Sequence, residues 1–304
     1  MSRVFKARYL NGWPLFWLVV VPMNAFMVIA MWGYDLSSPG DISHMIAYSV
    51  RWSVPFIYLV VAASALPVLF PGEFSRWCLR NRKYIGLMFA MAMAWQGLFI
   101  FMTSSLHTDY YYDEVYLLRN ELEGSSGYLF LAAMVITSFR FGRRWLSNTQ
   151  WKVLHRSGMY FLWAYPMAVY FWNVYYYDNP DVIDYLFYWA GFLAFAARIA
   201  AWGKRRAQTF DRSGIAMSGL AEKGIGVAFV ATGLIASATG AFWLEPAYYA
   251  LTPTAFLESL VLWVPFWPFE PFLPLVALGL GTWIWTGTLR NPSAASPRVQ
   301  ADSA

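Results

Sequence analysis

The chain is built from long apolar stretches separated by short polar ones. Eight stretches, at residues 13–33, 49–70, 85–105, 126–140, 156–176, 183–202, 224–244 and 271–289, read as membrane-crossing helices. A helix rising about 1.5 Å per residue needs about 20 residues to cross about 30 Å of hydrocarbon. Most of the eight reach that length, and 126–140 is the shortest. The first follows Arg3, Lys6 and Arg8, has no small-residue cleavage site and runs on into a polar loop, so it reads as an uncleaved helix rather than a signal peptide. The expected fold is an all-α integral membrane bundle of about eight transmembrane helices.

Composition supports this. Of 304 residues, 59% are hydrophobic and 13% charged, whereas soluble domains carry about 25% charged residues. The charges also alternate from loop to loop. With the N-terminus in the cytoplasm, 20 of the 22 Lys and Arg residues fall on the cytoplasmic side and only Arg51 and Arg119 fall outside, as expected where basic residues gather in cytoplasmic loops. Acids such as Asp35, Asp41, Asp109, Asp113, Glu121 and Asp184 collect on the outer side. Both termini are therefore expected in the cytoplasm, and the protein in a bacterial inner membrane. The net charge of +5 follows from this orientation, with basic loops lying against anionic lipid. No soluble basic face is visible, which argues against nucleic-acid binding.

Other features have mainly structural readings. Tyr110–Tyr112 and Tyr175–Tyr177 bracket outer helix ends, where such rings favour the headgroup layer. The run LESLVLWVPFWPFEP at 257–271 carries Pro265, Pro268 and Pro271, which cannot share one continuous helix. Residues 256–272 therefore read as an interfacial or re-entrant segment on the outer side. Cys78 stands alone, so no internal disulfide or thiol metal site can form. Glycines 224, 226, 233, 240, 279, 281 and 287 lie in apolar helices with no preceding strand, which favours close helix packing over a nucleotide loop.

Three segments carry a resemblance. NRKYIGLMFAMAMAW (81–95), TSFRFGRRW (137–145) and WKVLHRSGMY (151–160), with Arg51–Trp52 in the second span, resemble the ferric-reductase-like transmembrane superfamily. Within it, the nearest is the haem-binding membrane subunit of the bacterial methionine sulfoxide reductase system. The resemblance covers residues 45–205. It implies a six-helix core that holds haem b between histidines of the third and fifth spans and passes electrons to or from a redox partner or quinone. Low-spin haem iron needs two axial ligands, which imidazoles supply.

This chain departs from that pattern. The third-span histidine position is Gln96; His155 matches the Leu-His-Arg histidine, but the position thirteen residues on is Ala168. The resemblance thus leaves His155, Gln96 and Arg51 as candidate cofactor-binding residues, with Arg51 facing a haem propionate or quinone, or else an acid such as Asp41 or Asp109. His44 and His107 share the outer side and form a candidate metal pair. His155 lies at the opposite end of the bundle, about 30 Å away. Arg140, Arg143, Arg144 and Arg156 cluster on the cytoplasmic side, either as a dock for an acidic partner or a phosphate-bearing ligand or simply because basic residues gather in cytoplasmic loops.

The domain reading is a cytoplasmic N-terminus at 1–12, a ferric-reductase-like core at 13–205, a cytoplasmic loop at 206–223, a two-helix extension at 224–289 and a disordered tail at 290–304. No flavin or nicotinamide domain is recognisable, so reductase activity would need a partner or the quinone pool. Two functions stay open: a membrane electron-transfer component, and a haem-free derivative acting as scaffold, assembly factor or small-molecule transporter.

Overall fold

The computed structural model describes residues 4–212, 219–252 and 262–287. Among them helices are the only regular elements, so the all-α expectation holds. The main helices are α1 (Gly12–Met31), α2 (Pro39–Ala62), α3 (Glu73–Leu106), α4 (Leu118–Thr137), α5 (Asn148–Tyr175), α6 (Val182–Arg212), α7 (Leu220–Ala238), α8 (Gly240–Leu251) and α9 (Leu273–Trp285). Five are long and apolar enough to cross a membrane: α1, α2, α3, α6 as far as Thr209, and α7.

The expected fourth, fifth and eighth spans form helices that fall short of that standard. The first turns of α4 carry Arg119, Glu121 and Glu123. α5 is rich in Tyr and Trp, and Leu162, Trp163, Met167, Phe171 and Val174 are buried among its neighbours. A helix enclosed by others has no need of an aliphatic, lipid-facing surface. α9 is described for 13 residues, and the expected span to 289 runs beyond the described chain.

Several expected boundaries move: α3, α4 and α5 begin at Glu73, Leu118 and Asn148 rather than at 85, 126 and 156. α2 begins ten residues before the predicted start at 49, with Pro39 in its first turn and Asp41 beside it. Proline's fixed φ and a carboxylate both suit a helix N-terminus. Arg51 therefore sits midway along a 24-residue helix, not near its start. The expected span 224–244 breaks at Thr239 (φ −122°, ψ 29°) into α7 and α8. The phenol hydroxyls of Tyr175 and Tyr188 both donate to the Ser237 carbonyl, at 2.6 and 2.7 Å. That carbonyl is drawn out of the helical ladder, and Gly240 fits against the face of Tyr175, where a Cβ would lie 2.4 Å from the ring.

The main core lies where α5, α6 and α2 meet, around Trp163, Phe171, Tyr188 and Phe192. Trp163 Nε1 donates to the Gly191 carbonyl at 3.1 Å. Tyr58 covers the other side of Gly191, so the three helices close on one point. Farther along the chain α7 and α9 touch backbone to backbone. A Cβ on Gly226 would stand 2.8 Å from the Gly281 carbonyl oxygen, and one on Gly233 would stand 2.6 Å from the Pro274 carbonyl oxygen. The packing role expected for the glycines holds at 226, 233, 240 and 281; Gly224 and Gly279 face open space.

Of the proline-rich segment, residues 256–261 lie outside the described chain. Residues 262–272 turn inward, with Phe266 against Phe161 at 5.0 Å and Phe272 against Trp163 at 5.9 Å. Phe266 takes a φ of 59°, a conformation costing a non-glycine residue about 1–2 kcal/mol. The Glu123 carboxylate holds it there by accepting the Phe266 N–H at 3.0 Å.

A basic cavity as the candidate functional site

Five helices converge on a cavity of about 790 Å³ at the end of the bundle where α2 finishes and α5 begins. This is within the usual size of a small-molecule site, about 300–1,000 Å³. The spacing of the lining residues shows how each helix contributes a face. α3 supplies Arg82, Gly86 and Phe89, and α5 supplies His155, Met159 and Leu162, each set at the i, i+4, i+7 positions that align on one side of a helix. α2 adds Ile57 and Val60, the turn after it adds Ser64, and α4 adds Leu131, Met134 and Thr137. The floor is apolar and the mouth is cationic.

The charge at the mouth is one-sided. Arg80, Arg82 and Lys83 come from α3, Arg143 from the turn after α4, Lys152 and Arg156 from α5, and Arg198 and Arg205 from α6. Eight cations therefore line the cavity, and no Asp or Glu does. Among the described residues the one ion pair is Arg119–Glu123, at the other end of α4.

Most of these cations have structural partners. Arg198 donates to Val61 O at 3.1 Å and Ser64 Oγ at 2.8 Å, and it places two N–H groups on Tyr160 Oη at 3.1 and 2.7 Å. It thereby caps the C-terminal carbonyls of α2, where a cation also suits the helix dipole. Arg205 reaches Ser64 O at 3.2 Å. Arg80 is held by Asn11 Oδ1 and Phe5 O, both at 2.9 Å. Arg143 binds Leu146 O and Asn148 Oδ1 and lies over the Trp151 ring at 5.4 Å. Lys83 lies over Phe139 at 4.8 Å.

Arg82 is different. Its side chain is half-buried, it is close enough to Arg198 to be repelled by it, and its acceptor is the Met159 sulfur at 2.9 Å. A thioether is a weak acceptor for a group with five N–H donors.

His155 lines the same cavity, one residue ahead of the span expected at 156–176. Its Nε2 lies 3.0 Å from Thr137 Oγ1, and its ring packs on Trp151 at 4.3 Å. Thr137 Oγ1 donates to Ala133 O at 2.7 Å, so its lone pair is what faces the imidazole. That assigns the proton to Nε2 and leaves Nδ1 bare. Burial, then the charges of Arg82 and Arg143, pull the His155 pKa down to about 4, so the ring is neutral at ordinary pH.

The remaining sequence-predicted residues do not join this site. Gln96 lies fourteen positions beyond Arg82 on α3, about 21 Å along the helix axis; it accepts from Tyr128 Oη at 3.2 Å and does not line the cavity. Arg51 is exposed on α2, and none of its expected ion pairs with Asp41 or Asp109 forms. His44 is exposed and stacks on Tyr34 at 5.9 Å, whereas His107 caps α3 and buries an unpartnered Nε2. Among the described residues no cluster of three or more His, Cys, Asp or Glu is placed to hold a metal. Of the predicted arginine cluster, Arg143 and Arg156 line the cavity, while Arg140 and Arg144 are exposed elsewhere.

The donor set does not fit a bis-imidazole haem. His155 alone reaches the cavity, and the nitrogen it turns toward α4 is taken by Thr137. Sequence reasoning missed Arg82 and Arg198 as site residues. For Arg198 a signal was present, since a charged residue inside the stretch 183–202 is costly in a membrane and marks a polar environment. No family model matches the chain, and neither a curated protein nor a solved structure shows significant similarity to it.

Proposed function

We propose that the chain is a haem-free derivative of the ferric-reductase-like bundle, and that it binds an anionic small molecule in the basic cavity. The observation that carries this reading is the lining itself: eight cations and no carboxylate around about 790 Å³ of partly apolar space. Such a cavity attracts anions and repels cations. In this reading all eight apolar stretches cross a bacterial inner membrane, both ends are cytoplasmic, and the cavity opens to the cytoplasmic side. The protein then serves as a carrier, scaffold or assembly factor for its ligand.

The electron-transfer reading has one observation in its favour, namely that His155, with its Nε2 bonded to Thr137, lines the same cavity. A quinone headgroup docked there would be reduced through a partner protein, since no second cofactor site is built alongside it among the described residues.

The deciding measurement is a visible spectrum and pyridine haemochrome assay on detergent-purified protein expressed with ample haem. The haem-free reading expects no b-type signal. A stoichiometric signal abolished by His155→Ala would overturn it.

A further inference from the structure

We propose that the cavity binds a phosphate monoester carried on an apolar body, with Arg82 as the residue that grips the phosphate. The inference rests on the basic cavity being the working site, and it names the ligand class.

Five of the eight cations already hold structural partners, and Lys152 and Arg156 are exposed at the surface. Arg198 and Arg205 hold the carbonyls at the end of α2, Arg80 holds the N-terminal segment, and Arg143 holds its own turn. Arg82 holds a thioether and little else. A half-buried guanidinium that repels Arg198 and lacks an oxygen acceptor is costly in the empty site. An incoming anion with several oxygens would remove that cost. A carboxylate brings a single charge, and a phosphodiester brings one charge with two free oxygens. A monoester brings about −1.5 to −2 charges near neutral pH and three acceptor oxygens, which suits the forked geometry of arginine.

Depth then selects the rest of the ligand. Arg82 lies nine residues into α3 and three before the expected span 85–105, which in the proposed orientation puts it at headgroup level. Gly86 and Phe89 lie one and two turns further in on the same face, and Leu131 and Leu162 line the cavity with them. A ligand with phosphate at Arg82 thus extends its body toward the hydrocarbon, as a lipid phosphate does in its own leaflet. A soluble aryl phosphate shares the chemistry, and the two sources are told apart below.

The test uses the full-length protein in nanodiscs and in detergent, with dioleoyl phosphatidic acid, dioleoyl phosphatidylglycerol, naphthyl phosphate and inorganic phosphate as probes. Binding is read by native mass spectrometry and by shift in melting temperature. The proposal expects phosphatidic acid to bind at least tenfold more tightly than phosphatidylglycerol. Arg82→Gln should cost tenfold or more, Arg82→Lys should restore part of the loss, and Arg144→Gln, at an exposed arginine outside the cavity lining, should change binding less than twofold. Naphthyl phosphate binding as tightly as phosphatidic acid, with the same Arg82 dependence, supports the phosphate site and assigns it a soluble ligand.

Equal binding of monoester and diester overturns the proposal, and so does equal loss from Arg144→Gln and Arg82→Gln, which would mean general attraction of anions to a basic face. If Arg82→Gln does not yield a folded protein, the wild-type probe series and Arg82→Lys decide. A haemochrome signal would refute the haem-free reading and leave these ratios unaffected, whereas a clean spectrum with no monoester preference refutes the ligand class alone.

Discussion

Glycines 279 and 281 sit one turn apart or less on α9, yet alanine should have opposite effects at the two. A Cβ on Gly279 meets nothing within 4 Å, while one on Gly281 lies 2.6 Å from the Gly226 carbonyl oxygen and 2.8 Å from the Val230 amide nitrogen. Both neighbours are backbone, so neither can swing aside. Restoring ordinary contact requires α7 and α9 to part by about half an ångström or more, a misfit costing about 1–3 kcal/mol in a packed interior. Against this, replacing a helical glycine by alanine gains about 0.5–1 kcal/mol from reduced backbone entropy. That gain is common to both sites, so the difference between Gly281→Ala and Gly279→Ala isolates the packing term, about 2 kcal/mol. Inside a bilayer such contact is a main source of helix association, because lipid tails are as apolar as the side chains they replace. The assay is thermal unfolding in detergent micelles, followed by tryptophan fluorescence. Gly279→Ala should be neutral or slightly stabilising and Gly281→Ala clearly destabilising. Equal shifts for the two would refute the backbone-contact argument.

Two further outcomes follow from particular contacts. Glu123→Ala removes the acceptor for the Phe266 N–H and the partner of Arg119; it should cost about 1–3 kcal/mol and make residues 262–272 more open to limited proteolysis, whereas unchanged cleavage would show that the aromatic contacts alone hold the segment. Monoester binding should strengthen as pH rises from 5 to 8, because the ligand's second ionisation, near about pH 6, adds a negative charge facing Arg82. The cavity lining has no carboxylate, and His155, at about 4, is already neutral throughout that range. Isothermal titration of naphthyl phosphate at several pH values measures this, and a flat or falling profile would contradict a monoester site.

The linear pattern of apolar and polar residues was enough to fix the helical class and the approximate place of each main helix, because a backbone in or near lipid must satisfy its own hydrogen bonds and helices do so locally. It also identified the close packing at Gly226, Gly233 and Gly281, since small residues in apolar helices have few other uses. Ends and breaks were less legible. α7 stops at Ala238 because two tyrosines from α5 and α6 claim the Ser237 carbonyl, a contact between residues 62 and 49 positions apart. α2 starts at Pro39 rather than 49, a signal that proline and Asp41 carried and hydropathy hid.

The site divides the same way. Arg143 and Arg156 were visible within a basic cluster and His155 as a separate candidate ligand, but which charges are committed and which are free is a matter of partners. Arg80 and Arg82 are two residues apart on one helix, and sequence offers no ground for telling them apart. Folding brings Asn11 and Phe5 to the first and only Met159 to the second. Likewise the chain displays three histidines, while the tertiary structure turns one toward the cavity and leaves the others at the far end. Local periodicity decides where helices form, because their hydrogen bonds join near neighbours. Long-range packing decides which side chains meet, and therefore which guanidinium is left with a thioether as its acceptor.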